Sequence, residues 1–204
     1  MNVRFLLSGV AALAAVLAPQ NTRAVEADFS YCTVCHGAHV NGNPAIRAPK
    51  LAGMEDWYIA RQLQAFRTGM RGVHPDDAPG HEMQPVGVRL NDDATVAKAI
   101  AYIASFEPKA PPVTVTGDAD RGKELYTACQ ACHGAHGEGN RSLNAPALSA
   151  RTDWYLVTQI KNYRTGVRGG DAQDTFGTQM RAIAVMLPDD QAINDVVAFI
   201  NTLR

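Results

Sequence analysis

The sequence predicts an all-α protein built as two tandem copies of one small helical domain. Three observations carry this. Shifted by 97 residues, the chain matches itself: residues 29–107 align with 126–204 without a gap, and 29 of 79 pairs are identical. Its apolar residues recur with helical spacing, as in "ATVAKAIAYIASF", where Val96, Ile100, Ile103 and Phe106 share one face. No stretch alternates as a half-buried strand would. Two copies are too few for a solenoid, which needs three or more, so the repeat describes two domains.

Each element has its own signal. "MNVR", the apolar run "FLLSGVAALAAVLA" and the small-residue site Thr22-Arg23-Ala24 have the three-part layout of a secretory signal peptide, with a second cleavage option after Val25-Glu26-Ala27. Residues 1–24 are therefore expected to be removed. The run is shorter than the about 20 residues of a membrane span, and nothing later could cross a bilayer. The first domain is set at 25–107. "PKAPPVTVT", residues 108–116, is proline-rich and reads as a semi-extended linker. The second domain is set at 117–204.

Within the domains, "DWYIARQLQAFRTG" and "DWYLVTQIKNYRTG" are expected to be helices that start with Asp and stop at Gly69 and Gly166. "QAINDVVAFINTL" repeats the closing helix of the first domain with Ile193, Val197, Ile200 and Leu203. "DADRGKELYTACQACH" is a further helix, and Gly122 lets it cross close to the last helix at Phe199. The first domain aligns Val25 and Phe29 with Gly122 and Tyr126, at the start of the mature chain. Its copy of that helix is expected to be short or absent, and its site more exposed. Cores this small are marginal by apolar burial alone, so a bulky group should complete them.

Bulk charge excludes little. Without Arg4 and Arg23 the chain has 17 basic and 20 acidic residues, with no basic stripe for nucleic acid.

The chemistry lies in "CTVCH", residues 32–36, and "CQACH", residues 129–133, which hold all four cysteines. In an exported protein two disulfides are the plain alternative, and a zinc site the next. Cys-x-x-Cys-His is instead the attachment signal of a c-type haem. Two thiols on one helical turn add to two porphyrin vinyl groups, and the adjacent histidine faces the iron. A disulfide or a zinc site needs no histidine there. Cys32, Cys35, Cys129 and Cys132 are thus read as haem anchors, and His36 and His133 as iron ligands. Met83 and Met180 each lie 47 residues beyond their histidine, in register, after a loop rich in Gly, Pro and Asp and ahead of a helix. They are read as the opposite ligands. A thioether raises the reduction potential and closes the iron, which favours electron transfer. His81 is the rival in the first domain, although Thr178 occupies its place in the second. His39 and His136 are read as exposed polar residues.

The chain at this point resembles the class I cytochromes c, in particular the tandem two-haem branch called cytochrome c4. "CTVCHGAHVNGNPAIRAPKLAG" with "DWYIARQLQAFRTGMRG", and "CQACHGAHGEGNRSLNAPALSA" with "DWYLVTQIKNYRTGVRG", carry the resemblance over nearly all of the mature chain. It implies two covalent haem c groups, two domains packed face to face with propionates near the interface, and electron shuttling in the periplasm. It implies as partners periplasmic redox proteins, with a terminal oxidase or a cytochrome bc complex among them, and leaves room for a loose membrane association. It implies that Pro49 and Pro146 offer their carbonyls to the histidines and that Leu51 and Leu148 pack on the porphyrin. Trp57, Trp154, Tyr58, Tyr155, Arg67 and Arg164 are its candidates for haem edges or propionates, against a plain packing or surface role. The readings set beside a carrier are a two-haem enzyme (a peroxidase or sulfur-compound dehydrogenase) and a dedicated subunit of a larger redox complex.

Overall fold

A computed structural model describes residues 28–203. The leader and both cleavage options lie outside the described residues. The helices in chain order are α1 Tyr31–His36, α2 Asp56–Arg67, α3 Ala78–Arg89, α4 Asp93–Ala104, α5 Ala119–His133, α6 Asp153–Thr165, α7 Thr175–Ala184 and α8 Asp190–Asn201. Among the described residues there is no β-strand, only the isolated bridges Asn43–Ala48 and Asn140–Ala145.

In the second domain α5 and α6 pack on α8, and α7 packs on α6; in the first, α3 and α4 pack on α2. Each domain has its own apolar core. The first gathers Ile59, Leu63, Leu90, Val96, Ile100 and Ile103; the second gathers Tyr126, Leu156, Ile193, Val196, Val197 and Ile200. These include most of the stripe residues, as burying one face of each helix requires. The last helix of each domain starts where an aspartate accepts from a backbone amide: Asp92 from Thr95 and Asp189 from Ala192, both at 2.7 Å.

Two features depart from the sequence reading. Met83 and Met180 do not precede a helix; they lie inside α3 and α7. The Gly and Pro content that suggests a loop is used to begin these helices. Asp77 and Asp174 cap the amides of Gly80 and Gly177 at 3.0 and 2.8 Å, and Pro79 falls in the first turn, where no amide bond is lost. The second departure concerns exposure. α1 is indeed only 6 residues against 15 for α5, yet His36 and His133 are equally buried, and the cysteines have matching exposure. Among the described residues, aromatic packing stands beside the shorter α1. Phe29 lies 6.3 Å from Tyr31 and 6.2 Å from Tyr102, and Tyr102 meets Phe106 edge-on at 5.1 Å.

Gly122 acts as expected. A Cβ there would sit 1.9 Å from the Asp195 carbonyl oxygen and 3.0 Å from Phe199 Cβ, so only glycine lets α5 approach α8 this closely.

Residues 107–118 carry no regular secondary structure. Residues 114 and 115 of this segment are tied to the second domain. Asp153, fully buried, accepts from Thr114 N at 2.6 Å, Thr114 Oγ1 at 2.7 Å and Val115 N at 2.9 Å.

Candidate haem sites

Both Cys-x-x-Cys-His units end a helix. α1 stops at His36 and α5 at His133, because Gly37 and Gly134 adopt φ of 83° and 81° and turn the chain away. The following loop folds back on itself. Gly42 N donates to His36 O, and Gly139 N to His133 O, both at 2.8 Å. Asn43 and Asn140 then cap a single 3₁₀ turn in each domain. Gly42 and Gly139 are required twice over: their φ is positive, and a Cβ would meet the amide nitrogens of Lys50 at 2.9 Å and Ala147 at 2.5 Å. That tight return explains the repeated "GN".

The loop delivers a carbonyl to each ring. His36 Nδ1 lies 2.7 Å from Pro49 O, and His133 Nδ1 lies 2.7 Å from Pro146 O. A carbonyl only accepts, so Nδ1 carries the proton in both rings and Nε2 is left with a free lone pair. Burial pushes both histidines below their ordinary value, against the raising effect of the proline carbonyl. Neutral, oriented imidazoles of this kind are what a metal needs.

The cysteines are free. Burial raises Cys32 and pushes Cys129 up to about 11, so these are protonated thiols facing apolar surroundings rather than the low-pKa thiolates of a redox Cys-x-x-Cys. Among the described residues no group of three or more His, Cys, Asp or Glu could hold a metal ion, so the zinc alternative has no supporting geometry.

Cys129, Cys132, His133, Pro146, Leu148 and Met180 line one cavity of about 1540 Å³ of atom-free space, its open mouth included. Tyr155 and, from the first domain, Tyr58, Met54 and Arg61 complete the wall, so the cavity reaches the domain interface. In the first domain Met83, Leu51 and Cys32 pack beside the core. His81, His39 and His136 are exposed.

Other candidates fall elsewhere. Trp57 and Trp154 stack edge-on against the neighbouring tyrosines at 5.8 and 6.0 Å. Arg67 joins α2 to the start of α4, donating to Asp93 at 3.1 Å and Leu90 O at 3.4 Å. Arg164 joins α6 to Asp190 of α8 in the same way and keeps one buried nitrogen, Nη1, without a partner.

The interface holds residues that the sequence reading passed over. Arg71 donates to Gln62 at 2.7 Å and to Gln159 at 3.4 Å. Its repeat mate Arg168 donates to Gln159 at 2.6 Å and to Gln62 at 3.0 Å. Each guanidinium also lies 4.4 Å over an aromatic ring, Phe66 or Tyr163. Both arginines are buried, and neither Nε has a partner. Tyr58 is held below its ordinary value: burial would raise it, but Arg168, Arg71 and Arg61 outweigh burial. Buried cations without a carboxylate are costly, so this cluster suits an anionic group such as a haem propionate. The signal was present, since both pairs are identical across the repeat and Arg71 and Arg168 are the second arginines of the "RTGxRG" motif.

Comparison with known proteins agrees with the geometry. The cytochrome c family model matches residues 25–107 and 119–204. Cytochrome c4 of Azotobacter vinelandii is 31% identical over 165 residues, covering 76% of this chain and 77% of its own. A thiosulfate dehydrogenase electron acceptor of Stutzerimonas stutzeri is 29% identical over 204 residues, covering 90% and 89%. The crystal structure of reduced cytochrome c4 from Pseudomonas stutzeri superposes with a TM-score of 0.67 at 26% identity, covering 88% of this chain and 96% of that one. With two matched domains, each carrying its own Cys-x-x-Cys-His unit, the chain belongs to the cytochrome c family as a cytochrome c4, an electron-transfer protein with two covalent haem c groups.

Proposed function

We propose that the chain is a periplasmic electron carrier in which His36 with Met83, and His133 with Met180, hold the two haem irons. The haems supply the one-electron ferric/ferrous couple. The chain's own residues attach, orient and enclose. Cys32 and Cys35, and Cys129 and Cys132, form the thioethers. Pro49 and Pro146 fix the imidazole planes and tautomers, while Leu51 and Leu148 pack on the porphyrin faces. Arg71 and Arg168 meet the propionates, with Tyr58 and Tyr155 beside them. The observation that carries this is the single cavity that joins Cys129, Cys132, His133 and Met180. The domains divide at residues 108–116, and the leader ends at residue 24.

Two thioether ligands close both irons, which favours carriage over a reaction on bound substrate. One relative is by name the electron acceptor of a thiosulfate dehydrogenase. That supports a sulfur-compound dehydrogenase as the donor here, with a cytochrome bc complex as the other donor and a terminal oxidase as the acceptor. Among the described residues no helix is long and apolar enough to cross a membrane.

A redox titration followed by spectra tests the ligation. Ferric protein should show the weak near-infrared band of sulfur–iron ligation from both centres. Met83→Ala and Met180→Ala should each remove about half of it, a share that follows from one thioether per iron. A variant that keeps the whole band reassigns that ligand.

A further inference from the structure

The two proximal histidines make the same bond to a proline carbonyl, but the peptide groups behind those carbonyls differ. A peptide is one conjugated unit, so its oxygen and its N–H polarise together. Pro146 O accepts from His133 Nδ1 at 2.7 Å, and the N–H of that same peptide is the amide of Ala147. Ala147 N donates to Glu55 Oε1 at 2.6 Å. Glu55 belongs to the first domain. A chain of two short bonds therefore runs from the imidazole of the second domain, through one peptide group, to a carboxylate of the first.

The carboxylate is held in place. Glu55 Oε2 accepts from Arg151 Nη2 at 3.0 Å. Arg151 also donates from Nη1 to Gly53 O at 3.0 Å and from Nε to Ala147 O at 3.2 Å. Glu55 and Arg151 side chains are only 26% and 12% exposed, so solvent screens them little. The adjacent cation offsets most of the carboxylate's field at a distance. The directed hydrogen bond to Ala147 remains.

The residues that build this arrangement are not repeated in the first domain. Glu55 aligns with Thr152, Arg151 with Met54, and Ala147 with Lys50. Thr152 is neutral, and its buried hydroxyl oxygen has no hydrogen-bond partner, so it does not accept from the amide of Lys50.

We infer that Glu55 is a positioning residue that lowers the reduction potential of the second haem, acting through the Pro146–Ala147 peptide on His133. A carboxylate pulling on the amide makes the carbonyl a stronger acceptor. The stronger acceptor draws the Nδ1 proton and makes His133 a more basic ligand. A more basic ligand favours ferric iron. The domain interface thereby separates the potentials of two otherwise repeated sites, and Arg151 serves by fixing the carboxylate.

The inference rests on His133 being an iron ligand, and the test separates the two. Holo-protein labelled with ¹⁵N-histidine is compared with its Glu55→Gln variant, which retains an acceptor oxygen and loses the charge. In the variant the reduction equilibrium of the second haem should shift about tenfold toward ferrous, or 59 mV, with the first unchanged. The His133 Nδ1–H resonance of the ferrous protein should move upfield with it. In the native protein that resonance should already lie downfield of its His36 counterpart, a comparison that needs no variant. Equal positions of the two resonances overturn the inference. So does an unmoved second potential, or a shift of both potentials with the Nδ1–H in place, which would mean a field acting through space. If the His133 ring shows no hyperfine shift in ferric protein, the ligation reading itself fails.

Discussion

The two domains agree where they meet the haem and disagree in how they are supported. Each histidine ends a helix at a glycine of positive φ, each lies 2.7 Å from a proline carbonyl, and each following loop is closed by a "GN" pair. Behind this shared loop the second domain uses a 15-residue helix locked onto α8, and the first uses 6 residues and a cluster of aromatic rings. The loop geometry admits few sequences, because left-handed backbone and close amide contacts exclude most side chains. The support has only to fill volume and satisfy polar groups, which different residues can do equally well.

The contrast is tested hardest at Gly122. Gly122→Val drives a side chain into the Asp195 carbonyl, so α5 must leave α8. The loss should reach about 3 kcal/mol or more, in the range of severe overpacking. Hydrogen exchange should show it as lost protection in α5 and α8, with α2 to α4 little changed. Equal loss in both domains would show that they unfold as one unit.

Next comes Asp195, which accepts from Asp118 N at 2.8 Å, Arg121 Nη1 at 2.6 Å and Gln191 Nε2 at 2.7 Å while fully buried. Asp195→Ala leaves these donors unmatched and should cost roughly 2–3 kcal/mol. Its repeat mate Lys98 is exposed, and Lys98→Ala should stay within about 0.5 kcal/mol. Denaturant unfolding of the two variants compares them directly.

Acid should separate the domains as well. Asp153 and Asp195 are both held below the ordinary carboxylate value of 3.8, because burial, which would raise them, is outweighed by hydrogen bonds: Thr114 and Val115 for Asp153, Asp118, Gln191 and Arg121 for Asp195. A depressed folded value means stability that is complete above 3.8 and lost as pH falls below it toward the folded value. Asp28 and Asp92 of the first domain are also held down by hydrogen bonds, to Ser30 and Thr95, but both are exposed. Solvent discounts them. Hydrogen exchange from pH 5 to pH 2 should therefore show protection lost first around α5, α6 and residues 114–115. Loss beginning in α2 to α4 would contradict this.

What the sequence made legible follows the same division. The loop motif was readable because its spacing and glycines are dictated by local geometry, and so was the crossing at Gly122. The helices around Met83 and Met180 were hidden. In α3 the glycine and two prolines of "APGHEMQP", residues 78–85, weigh against a helix until the Asp77 cap is known. Arg71 and Arg168 were identical across the repeat and still overlooked, because their meaning comes from the meeting of two domains. Glu55 and Arg151 gave no signal at all, as each has an unlike partner in the other copy.

The finest difference is one hydroxyl. Tyr126 is buried, lies 5.2 Å from Phe199, and donates from its hydroxyl to Gly134 O at 2.9 Å, the residue after His133. Burial pushes its phenol up to about 12, so it stays a donor at any ordinary pH. Phe29 holds the same repeat position with a ring alone. Tyr126→Phe thus gives the second domain the first domain's chemistry without disturbing the packing. The hydrogen bond should be worth about 1 kcal/mol, which for a domain of this size lowers the melting temperature by roughly 4–8 °C. A larger fall would mean that Tyr126 holds the His133 turn in shape, and that the aromatic cluster around Phe29 replaces that restraint as well as the volume.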